Sequence, residues 1–516
     1  MRFGIDFGTT RTVVALADRG NYPIAGFETA DGEDLDYYPT VVAERDGELI
    51  FGPQALAAEE GTIVRSFKRL LGAAQVAPDL IVRIGRVETT LLGLLTGFFS
   101  ALRHDLLHHC TLDVEDEPHQ AIVATPANAH SAQRFITLEA ARAAGFDVIA
   151  MMNEPSAAGV EYAHRHQRTL TSRRELVLVY DLGGGTFDAS LVSMQGQSHD
   201  VLDSAGIKRL GGDDFDRVLF ELALALVDVD PGALDEGDER RLLEHCRQQK
   251  ERLHPSSKKI VVDVGACLSA ATQKRLDVGE ELSSVLKASR YYEACEPLVV
   301  QTLEVLARVL PGNLDEDALD RIAGVYVVGG ASALPCVARA LREWFGRRVR
   351  RSPYPSASTA IGLAIAFDEG SEVHVQERLA RNFGVFREAS DGAEVVFDAL
   401  IDRSATVPSE VAPAKDLVRT YRPTHNVGHF RYVECGWLDD SGAPAGDITP
   451  YGDVYFPFDT TLRGRRGLEE VAIERTPGEG PRIEERYRID ASGVVSVTIR
   501  DLDSGYEKRH RIGPVR

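Results

Sequence analysis

The first two thirds of the chain alternate short apolar runs with longer segments of helical periodicity. Residues 176–180 form an uninterrupted apolar and aromatic run, which predicts a buried strand. Residues 91–107 and 131–144 repeat apolar positions with helical spacing, which predicts two amphipathic helices. Gly145 follows the second of these and suits its left-handed cap. Alternating strands and helices favour an α/β fold.

The pattern changes beyond Arg381, where apolar and polar residues alternate in short segments separated by turns. Val454, Phe456 and Phe458 share one face of a predicted strand, and residues 490–493 predict a turn between two further strands. Strands and turns at this spacing favour a β-sandwich.

The most informative stretch is Asp181-Leu-Gly-Gly-Gly-Thr-Phe-Asp188, which lies between two predicted strands. Three consecutive glycines cost backbone entropy, so a chain tolerates them where the backbone must approach another group closely. The N–H groups of such a turn form a nest for phosphate oxygens. Asp181 and Asp188 would repel a phosphate unless a cation lies between them, and hydrated Mg²⁺ suits that position. The stretch therefore predicts a phosphate and Mg²⁺ site.

The same strand–turn–strand pattern opens the chain at Asp6-Phe-Gly8-Thr9-Thr10. One Gly-rich hairpin is most often an ordinary tight turn, but two copies with the same Asp and Thr offsets predict two similar lobes that face one nucleotide. Neither copy is a P-loop, because the sequence has no Gly-x-x-x-x-Gly-Lys-Ser/Thr. Gly329 and Gly330, between a predicted strand and a predicted helix, suit the approach of an anion or a sugar hydroxyl.

Two charged residues have alternative interpretations from the sequence alone. Lys68 is either a cation for phosphate or a solvated surface lysine. Glu154 follows a predicted strand, at a position where α/β active sites are commonly built. It either orders a Mg²⁺-bound or attacking water, or only caps the helix that begins at Pro155.

Histidine and cysteine residues offer little metal chemistry in the sequence. His104, His108 and His109 end the helix predicted at 91–107, and two histidines four residues apart can bind a metal. Favourable charges facing the helix dipole are the stronger interpretation. The six cysteines are scattered without a Cys-x-x-Cys, as is typical of the reduced thiols of a cytoplasmic protein.

Composition excludes several classes of protein. The 516 residues allow two to four domains, with 44% hydrophobic and 27% charged residues. A formal net charge of −21 disfavours sequence-independent nucleic-acid binding. The sequence predicts no bilayer-spanning run and no signal-peptide core.

The order and spacing of the motifs resemble the heat shock protein 70 family, the seventy-kilodalton heat-shock chaperones of the actin-like ATPase superfamily. The motifs are Ile5-Asp-Phe-Gly-Thr-Thr10, Phe67-Lys-Arg-Leu-Leu-Gly72, Ala124-Thr-Pro126 with Gln133-Arg134, Asn153-Glu-Pro-Ser-Ala-Ala158, the 181–188 hairpin, Leu210-Gly-Gly-Asp-Asp-Phe-Asp216 and Val328-Gly-Gly330. Leu400-Ile-Asp-Arg-Ser-Ala-Thr-Val-Pro408 and Asp490-Ala-Ser-Gly-Val-Val-Ser-Val497 resemble the family's peptide-binding β-sandwich. Sugar kinases and actin-like filament proteins share the hairpins but would not carry this β-domain.

The resemblance implies an α/β actin-like ATPase domain of two duplicated lobes at residues 1–369, a linker at 370–380 and an all-β sandwich, substrate-binding-like domain at 381–516. We expect no α-helical lid after that β-domain, and hence faster client exchange. The implied activity is slow hydrolysis of ATP to ADP with Mg²⁺, coupled to binding of extended apolar polypeptide segments. The implied partners are unfolded polypeptide clients, a J-domain co-chaperone and a nucleotide-exchange factor, without nucleic acid or membrane.

The resemblance also implies residue roles. The metal would be held through water by Asp6, Asp181 and Glu154. The catalytic residues would be Lys68, Glu154, Thr186 and Asp188. The nucleotide would be bound by Gly8, Thr9, Thr10, Gly183, Gly184, Gly185, Gly211, Gly212, Lys250, Gly329 and Gly330. Pro126 and Arg134 would relay the nucleotide state to the β-domain. Candidates for the peptide groove are Val418, Tyr421, Phe430 and Tyr432; a one-residue register shift would instead place Phe430 and Tyr432 in the sandwich core, and both alternatives remain open.

The sequence departs from the family pattern around adenosine. Arg247 stands where the family has a Glu, Ala331-Ser332-Ala333 replaces Ser-Thr-Arg, and Ser356 replaces an Asp. We therefore expect weaker or less adenine-selective binding. The family's Leu-rich interdomain linker, which ends in Asp-Val, is also absent, and residues 371–376 stand in its place. We expect Val373 and Val375 to replace its apolar side chains only in part.

These departures keep two other functions open. One is a non-enzymatic nucleotide-sensing adaptor that holds a dedicated partner. The other is a kinase of a small hydroxylated molecule on the same fold, which is less favoured because no substrate domain is visible in the sequence.

Overall fold

The computed structural model of the chain describes residues 1–29, 32, 34–58, 63–73, 76–115, 117–127, 129–195, 198–310, 320–368, 370–371, 374–379, 381–389, 394–403, 405–408 and 416–511. The helices are α1 (Gly52–Leu56), α2 (Leu91–His108), α3 (Ser131–Ala143), α4 (Glu154–His166), α5 (Gly212–Leu226), α6 (Glu236–Glu251), α7 (Val264–Cys267), α8 (Ala270–Leu276), α9 (Ala288–Arg308), α10 (Pro335–Phe345) and α11 (Ser358–Phe367). None of these described helices is long and apolar enough to cross a membrane.

Strands occur throughout the described chain. Those before residue 380 are β1 (Arg2–Phe7), β2 (Arg11–Leu16), β3 (Phe27–Glu28), β4 (Asp34–Leu35), β5 (Tyr38–Pro39), β6 (Val41–Arg45), β7 (Glu48–Phe51), β8 (Val64–Arg65), β9 (Ile81–Ile84), β10 (Val87–Thr90), β11 (Gln120–Thr125), β12 (Asp147–Asn153), β13 (Leu176–Leu182), β14 (Phe187–Gln195), β15 (Ser198–Ile207), β16 (Lys259–Val262), β17 (Ser284–Lys287), β18 (Ile322–Val328), β19 (Val349–Arg351) and β20 (His374–Gln376). The later strands are β21 (Asn382–Ala389), β22 (Glu394–Ile401), β23 (Leu417–Tyr421), β24 (Val427–Cys435), β25 (Trp437–Leu438), β26 (Pro444–Ala445), β27 (Thr449–Pro457), β28 (Ile483–Ile489), β29 (Val495–Asp501) and β30 (Glu507–Arg511).

Two mixed sheets in the first part of the chain repeat one topology. The first has the order β12-β11-β1-β2-β5 and the second the order β19-β18-β13-β14-β15-β20. In each, a central hairpin (β1–β2 or β13–β14) is antiparallel, and a strand parallel to its first arm (β11 or β18) lies on the other side. Helices α4 and α11 pack on each other and on strands of these sheets. They approach closely because their buried residues include several Ala and a Gly in each helix. The repeated topology agrees with the two hairpins recognised in the sequence.

The second part of the chain is rich in strands. One sheet has the order β22-β21-β24-β27 and the other β23-β28-β29-β30, and all their pairings are antiparallel. Alternate residues of both sheets meet in one apolar core that includes Phe383, Phe456, Tyr487 and Val497. Alternation of apolar and polar positions therefore predicted this region correctly.

The helices predicted at 91–107 and 131–144 are α2 and α3, and Gly145 has the left-handed φ of 92° expected of a cap. The linker region is described only in part. Val373 lies outside the described residues, and the backbone of residues 374–376 forms β20, which pairs in parallel with Ser198–Asp200 at the edge of the second sheet. Part of the segment predicted to be a linker is thus paired as a strand.

Candidate functional site

The turns of the two hairpins face each other at close range. A Cβ on Gly184 would lie 2.3 Å from Thr10 Oγ1, and one on Gly185 would lie 2.8 Å from Thr9 Cγ2. Within the first turn, a Cβ on Gly8 would lie 2.2 Å from the carbonyl oxygen of Arg11. None of these three glycines has a positive φ, so backbone conformation does not require glycine there. The close approach of neighbouring atoms does require it.

Two further glycines, Gly211 and Gly212, lie against the turn of the second hairpin. The Gly212 amide donates to the Gly183 carbonyl at 2.9 Å, and a Cβ on Gly211 would lie 2.5 Å from the Gly185 amide nitrogen. The carboxylate of Asp214 accepts from the Gly211 amide at 2.8 Å and fixes the start of α5. Gly211 and Gly212 thus pack directly against the Gly183–Gly185 turn.

A cavity of about 320 Å³ lies between these turns. It is lined by most of the predicted phosphate, metal and catalytic residues, namely Asp6, Gly8, Thr9, Thr10, Lys68, Glu154, Asp181, Gly183, Gly184, Thr186, Gly212, Lys250, Gly329 and Gly330. At Gly329, which has a φ of 82°, a Cβ would lie 2.4 Å from Asp181 Oδ1. The structure therefore brings together residues that are far apart in the sequence.

Three carboxylates and one lysine line this cavity: Asp6, Glu154, Asp181 and Lys68. Lys68 is 7% exposed and its Nζ lies 3.3 Å from Glu154 Oε1, so the interpretation of Lys68 as a solvated surface lysine is wrong. Burial raises the pKa of Asp6 and of Asp181 well above the usual range, repulsion from Glu154 raises both further, and Lys68 opposes these effects. This accumulation of negative charge favours a bound cation.

Glu154 is the first residue of α4, and its carboxylate contacts Lys68. Pro155 occupies the first turn of the helix, as predicted. Since Glu154 lines the cavity beside Asp6 and Asp181, its side chain does more than cap the helix.

The other end of the cavity contains Lys250 of α6. Its Nζ lies 2.7 Å from Asp216 Oδ1 and donates to the Gly212 carbonyl at 2.7 Å. Burial raises the pKa of Asp216 to about 6, against the attraction of Lys250. Lys250 therefore ties α6 to the start of α5 at the edge of the cavity.

The residues that depart from the family pattern line this same end: Arg247, Ala331, Ala333 and Ser356. Arg351, at the end of β19, also lines it, although no motif in the sequence marks Arg351 as a site residue. Glu251 accepts from Arg11 at 2.7 Å and from Arg247 at 3.3 Å, which bridges the two lobes across the cavity.

A second cavity of about 260 Å³ adjoins the first on its Thr186 side. Lys68, Thr9 and Thr186 line both cavities, whereas Asp188 and Pro126 line only the second. Part of its remaining wall comes from the α/β part, including Arg69, Gln133 and Lys208, and part comes from the β-rich region, namely Arg381, Arg403, Gly436, Trp437 and Asp447. Three of the four predicted catalytic residues, Lys68, Thr186 and Asp188, thus line a cavity where the α/β part meets the β-rich part.

Arg134 lies in a buried polar chain that crosses this boundary. Its Nη2 donates to Asn153 Oδ1, and Asn153 Nδ2 donates to Glu377 Oε2. The Asn153 amide also donates to Glu377 Oε1 at 3.3 Å. Burial raises the pKa of Glu377 to about 7, while Arg134 and Asn153 oppose the shift. Gly493 lies beside the Arg134 guanidinium, since a Cβ on Gly493 would lie 3.4 Å from Arg134 Nη1 and 3.6 Å from Leu379 Cδ2.

A second polar contact crosses the boundary at the N-terminus of α3. Glu434 accepts from the Ser131 amide at 3.1 Å and from the Ser131 hydroxyl. A carboxylate at a helix N-terminus is favoured by the orphan N–H groups and the dipole. Asp447 forms two ion pairs nearby: its Oδ2 lies 2.6 Å from Lys208 Nζ and 3.0 Å from Arg381 Nη1. In another ion pair, Arg403 Nη2 lies 2.5 Å from Asp203 Oδ1.

The structure corrects two of the four candidate groove residues. Phe430 and Tyr432 are 6% and 1% exposed and belong to the sandwich core, so their assignment to the groove is wrong and the core alternative is the observed one. Tyr421 is partly buried against that core, and Val418 is 41% exposed on β23. The register of β24 turns His429 and Arg431 to the opposite face.

Comparison with known proteins gives a consistent result. The family model described as Hsp70 protein matches residues 102–430. A protein named chaperone protein HscA homolog from Burkholderia pseudomallei (strain 668) is 30% identical over 531 aligned positions, which cover 98% of this chain and 77% of that protein. A protein of the same name from Azoarcus sp. (strain BH72) is 29% identical, over 99% of this chain and 78% of that protein.

Proposed function

This chain belongs to the Hsp70 family, and on that premise we propose that it is an ATP-dependent chaperone. It couples ATP binding and slow hydrolysis to the binding of extended apolar polypeptide segments. The observation that carries the proposal is the meeting of two Gly-rich hairpins over buried carboxylates and Lys68. The similar proteins named as chaperones favour this function over the adaptor and the small-molecule kinase.

We propose that residues 1–369 form an actin-like ATPase domain, 370–380 a linker and 381–516 a substrate-binding β-sandwich. The repeated topology of the two mixed sheets supports the first, and the two four-stranded sheets support the last. The six free thiols support a cytoplasmic location.

In the proposed site, the N–H groups of both turns cradle the phosphates of ATP. Lys68 orders the attacking water, Thr186 lies beside the γ-phosphate and Asp188 helps to position the water. Buried donors fixed in advance stabilise the charge that develops on the transferred phosphoryl group, and positioning supplies most of the catalysis in this chemistry. Glu154 holds Lys68 in place by their ion pair.

The donor set fits hydrated Mg²⁺, which would neutralise phosphate charge when bound. Asp6, Asp181 and Glu154 offer only oxygen donors, and burial with repulsion from Glu154 raises the pKa of Asp6 and of Asp181, so a cation would stabilise their ionised forms. Among the described residues, these three do not form a group whose oxygens all lie within 4.8 Å of one another. That spacing supports contact through the ion's water shell.

We propose that nucleoside recognition is weaker than phosphate recognition. The cavity end near Lys250 offers small side chains at Ala331 and Ala333, while Arg247 and Arg351 supply guanidinium groups that can lie against a base. We expect ATP and GTP affinities to be closer than in a site with specific base contacts, and Arg351→Ala to weaken both. Calorimetric titration with ATP, GTP and ADP tests this.

We propose that the nucleotide state reaches the β-domain through Arg134, Asn153 and Glu377. Pro126 and Thr186 line the second cavity together with Gln133, the chain neighbour of Arg134, which supports a short route from the γ-phosphate. The docked strand β20 supports a route through the linker backbone.

We propose that clients contact the outer face of the sheet that contains β24. Aromatic side chains are paired there: the Phe386 and Phe397 ring centroids lie 5.4 Å apart, and those of His429 and Tyr455 lie 4.4 Å apart. Arg431 lies over the Phe386 ring at 5.7 Å. A J-domain co-chaperone and a nucleotide-exchange factor are further proposed partners.

The test of the ATPase proposal is turnover of ATP by the purified chain with Mg²⁺ and after chelation. We expect slow hydrolysis that disappears on chelation. Tight ATP binding without any turnover would instead support the adaptor, and a phosphorylated metabolite would support the kinase.

A further inference from the structure

Three histidines and one aspartate crowd the C-terminal end of α2, and none of them lines either cavity. The ring centroid of His104 lies 4.7 Å from that of His108 and 5.8 Å from that of His109. The His109 amide donates to the Asp105 carbonyl at 2.8 Å, and beyond this last turn the backbone leaves the helix. The chain therefore turns His109 back toward His104.

The atoms that can bind a metal are close together in this cluster. One ring nitrogen each of His104 and His109 and one carboxylate oxygen of Asp105 all lie within 4.8 Å of one another. Ligands about 2.1 Å from a tetrahedral Zn²⁺ lie about 3.4 Å apart. Both histidines are exposed, so small rotations about their side-chain bonds close the set around an ion.

The aspartate is held in place by the core. Asp105 is 6% exposed, and its Oδ2 accepts from the Tyr38 hydroxyl at 3.0 Å. Tyr38 is fully buried and packs edge-on against Phe27 and Phe98. A hydrogen bond of this kind orients a metal-binding carboxylate and leaves its second oxygen available.

Charges facing the helix dipole do not account for this cluster. One protonated histidine at a helix C-terminus is favourable. That preference does not bring ligand atoms together, whereas one ring nitrogen each of His104 and His109 and one carboxylate oxygen of Asp105 converge within 4.8 Å.

We propose that His104, Asp105 and His109 bind a divalent transition metal of the Zn²⁺ class, with a fourth position open to water or to His108. Two imidazoles and one carboxylate suit Zn²⁺, Ni²⁺ and Cu²⁺, and disfavour Mg²⁺. Because Tyr38 belongs to β5, a bound ion fastens the last turn of α2 to the edge of the first sheet.

The test is a Zn²⁺ titration of the full chain against a competing chromophoric chelator, with excess Mg²⁺ to occupy the carboxylates of the nucleotide site. We expect His104→Ala and His109→Ala each to weaken the tightest Zn²⁺ site at least about tenfold. Asp105→Asn should do the same. The matched control is His164→Ala, which removes a histidine from the last turn of α4 and should leave the affinity unchanged.

Two further variants decide the ligand set. The Cys110 thiol donates to the carbonyls of Leu106 at 3.0 Å and Leu112 at 3.3 Å, so Cys110→Ser should keep the site. Loss of Zn²⁺ binding in Cys110→Ser would overturn the proposed ligands. Equal Zn²⁺ affinity and stoichiometry in the wild type and in the His104→Ala/His109→Ala double variant would overturn the site itself. Unchanged ATP turnover in the double variant checks that it is folded.

Discussion

Glu377→Gln should strengthen docking of the linker above neutral pH. Glu377 is buried where the linker meets Asn153, and burial raises its pKa from an ordinary 4.5 to about 7. Arg134, Asn153 and Ser156 face the carboxyl and oppose that shift. A raised pKa means that the docked arrangement favours the protonated form. The contribution of protonated Glu377 to the stability of the docked linker is fully present below about pH 4.5 and is lost as the pH rises through about 7.

The size of this effect follows from the two pKa values. The difference between 4.5 and about 7 corresponds to about 3 kcal/mol against docking at pH 8. Glutamine has the shape of the protonated side chain and no charge, so it should recover much of that free energy. Hydrogen exchange measures it, because the Val407 amide donates to the Glu377 carbonyl at 2.7 Å and the Leu379 amide to the Ala405 carbonyl at 2.9 Å.

The predicted result is an opening free energy at these amides that falls between pH 5 and pH 8 in the wild type and stays nearly constant in Glu377→Gln. Glu388→Gln is the control, because Glu388 is half exposed at 53% on the same domain. An opening free energy that does not fall in the wild type, or that falls equally in both variants, would refute a buried carboxyl as the determinant.

Three other substitutions test the nucleotide site. Lys68→Ala should lower ATP turnover on the order of a hundredfold while nucleotide affinity changes little, as measured by single-turnover hydrolysis and calorimetry. Thr186→Ala should behave in the same way, and an equal loss of binding and turnover would show that its loop serves binding only. Gly184→Ala should destabilise the chain by about 1–3 kcal/mol in thermal unfolding, because its Cβ would lie 2.3 Å from Thr10 Oγ1. Gly330→Ala is the matched control, since no atom lies within 4 Å of its added Cβ.

Local patterns in the sequence predicted many of the helices and strands and the two hairpin turns that meet at the first cavity. Strand periodicity and three glycines around residue 184 located the second hairpin, and the first hairpin revealed the duplication. These signals are local because a backbone nest must be built from consecutive residues. The same holds for α2 and α3, whose apolar spacing and glycine cap are contained in the helix and its next turn.

Contacts between distant segments were not predictable in the same way. Ser131 and Glu434 carry no local signal of their pairing, and neither do Asn153 and Glu377, because partners hundreds of residues apart are selected by the fold. Arg351 was missed for the same reason. The groove assignment of Phe430 was wrong because period-2 alternation shows which residues share a face but not which face is buried.

If the chain works as proposed, ATP binding in the hairpin site changes client binding by the β-sandwich. The most direct measurement is the release of a fluorescent extended apolar peptide from the full chain, followed by stopped flow after addition of ATP or ADP with Mg²⁺. We predict release at least about tenfold faster with ATP than with ADP, which corresponds to a difference of about 1.4 kcal/mol in the activation free energy of release. Equal release rates with ATP, ADP and no nucleotide would contradict the claim.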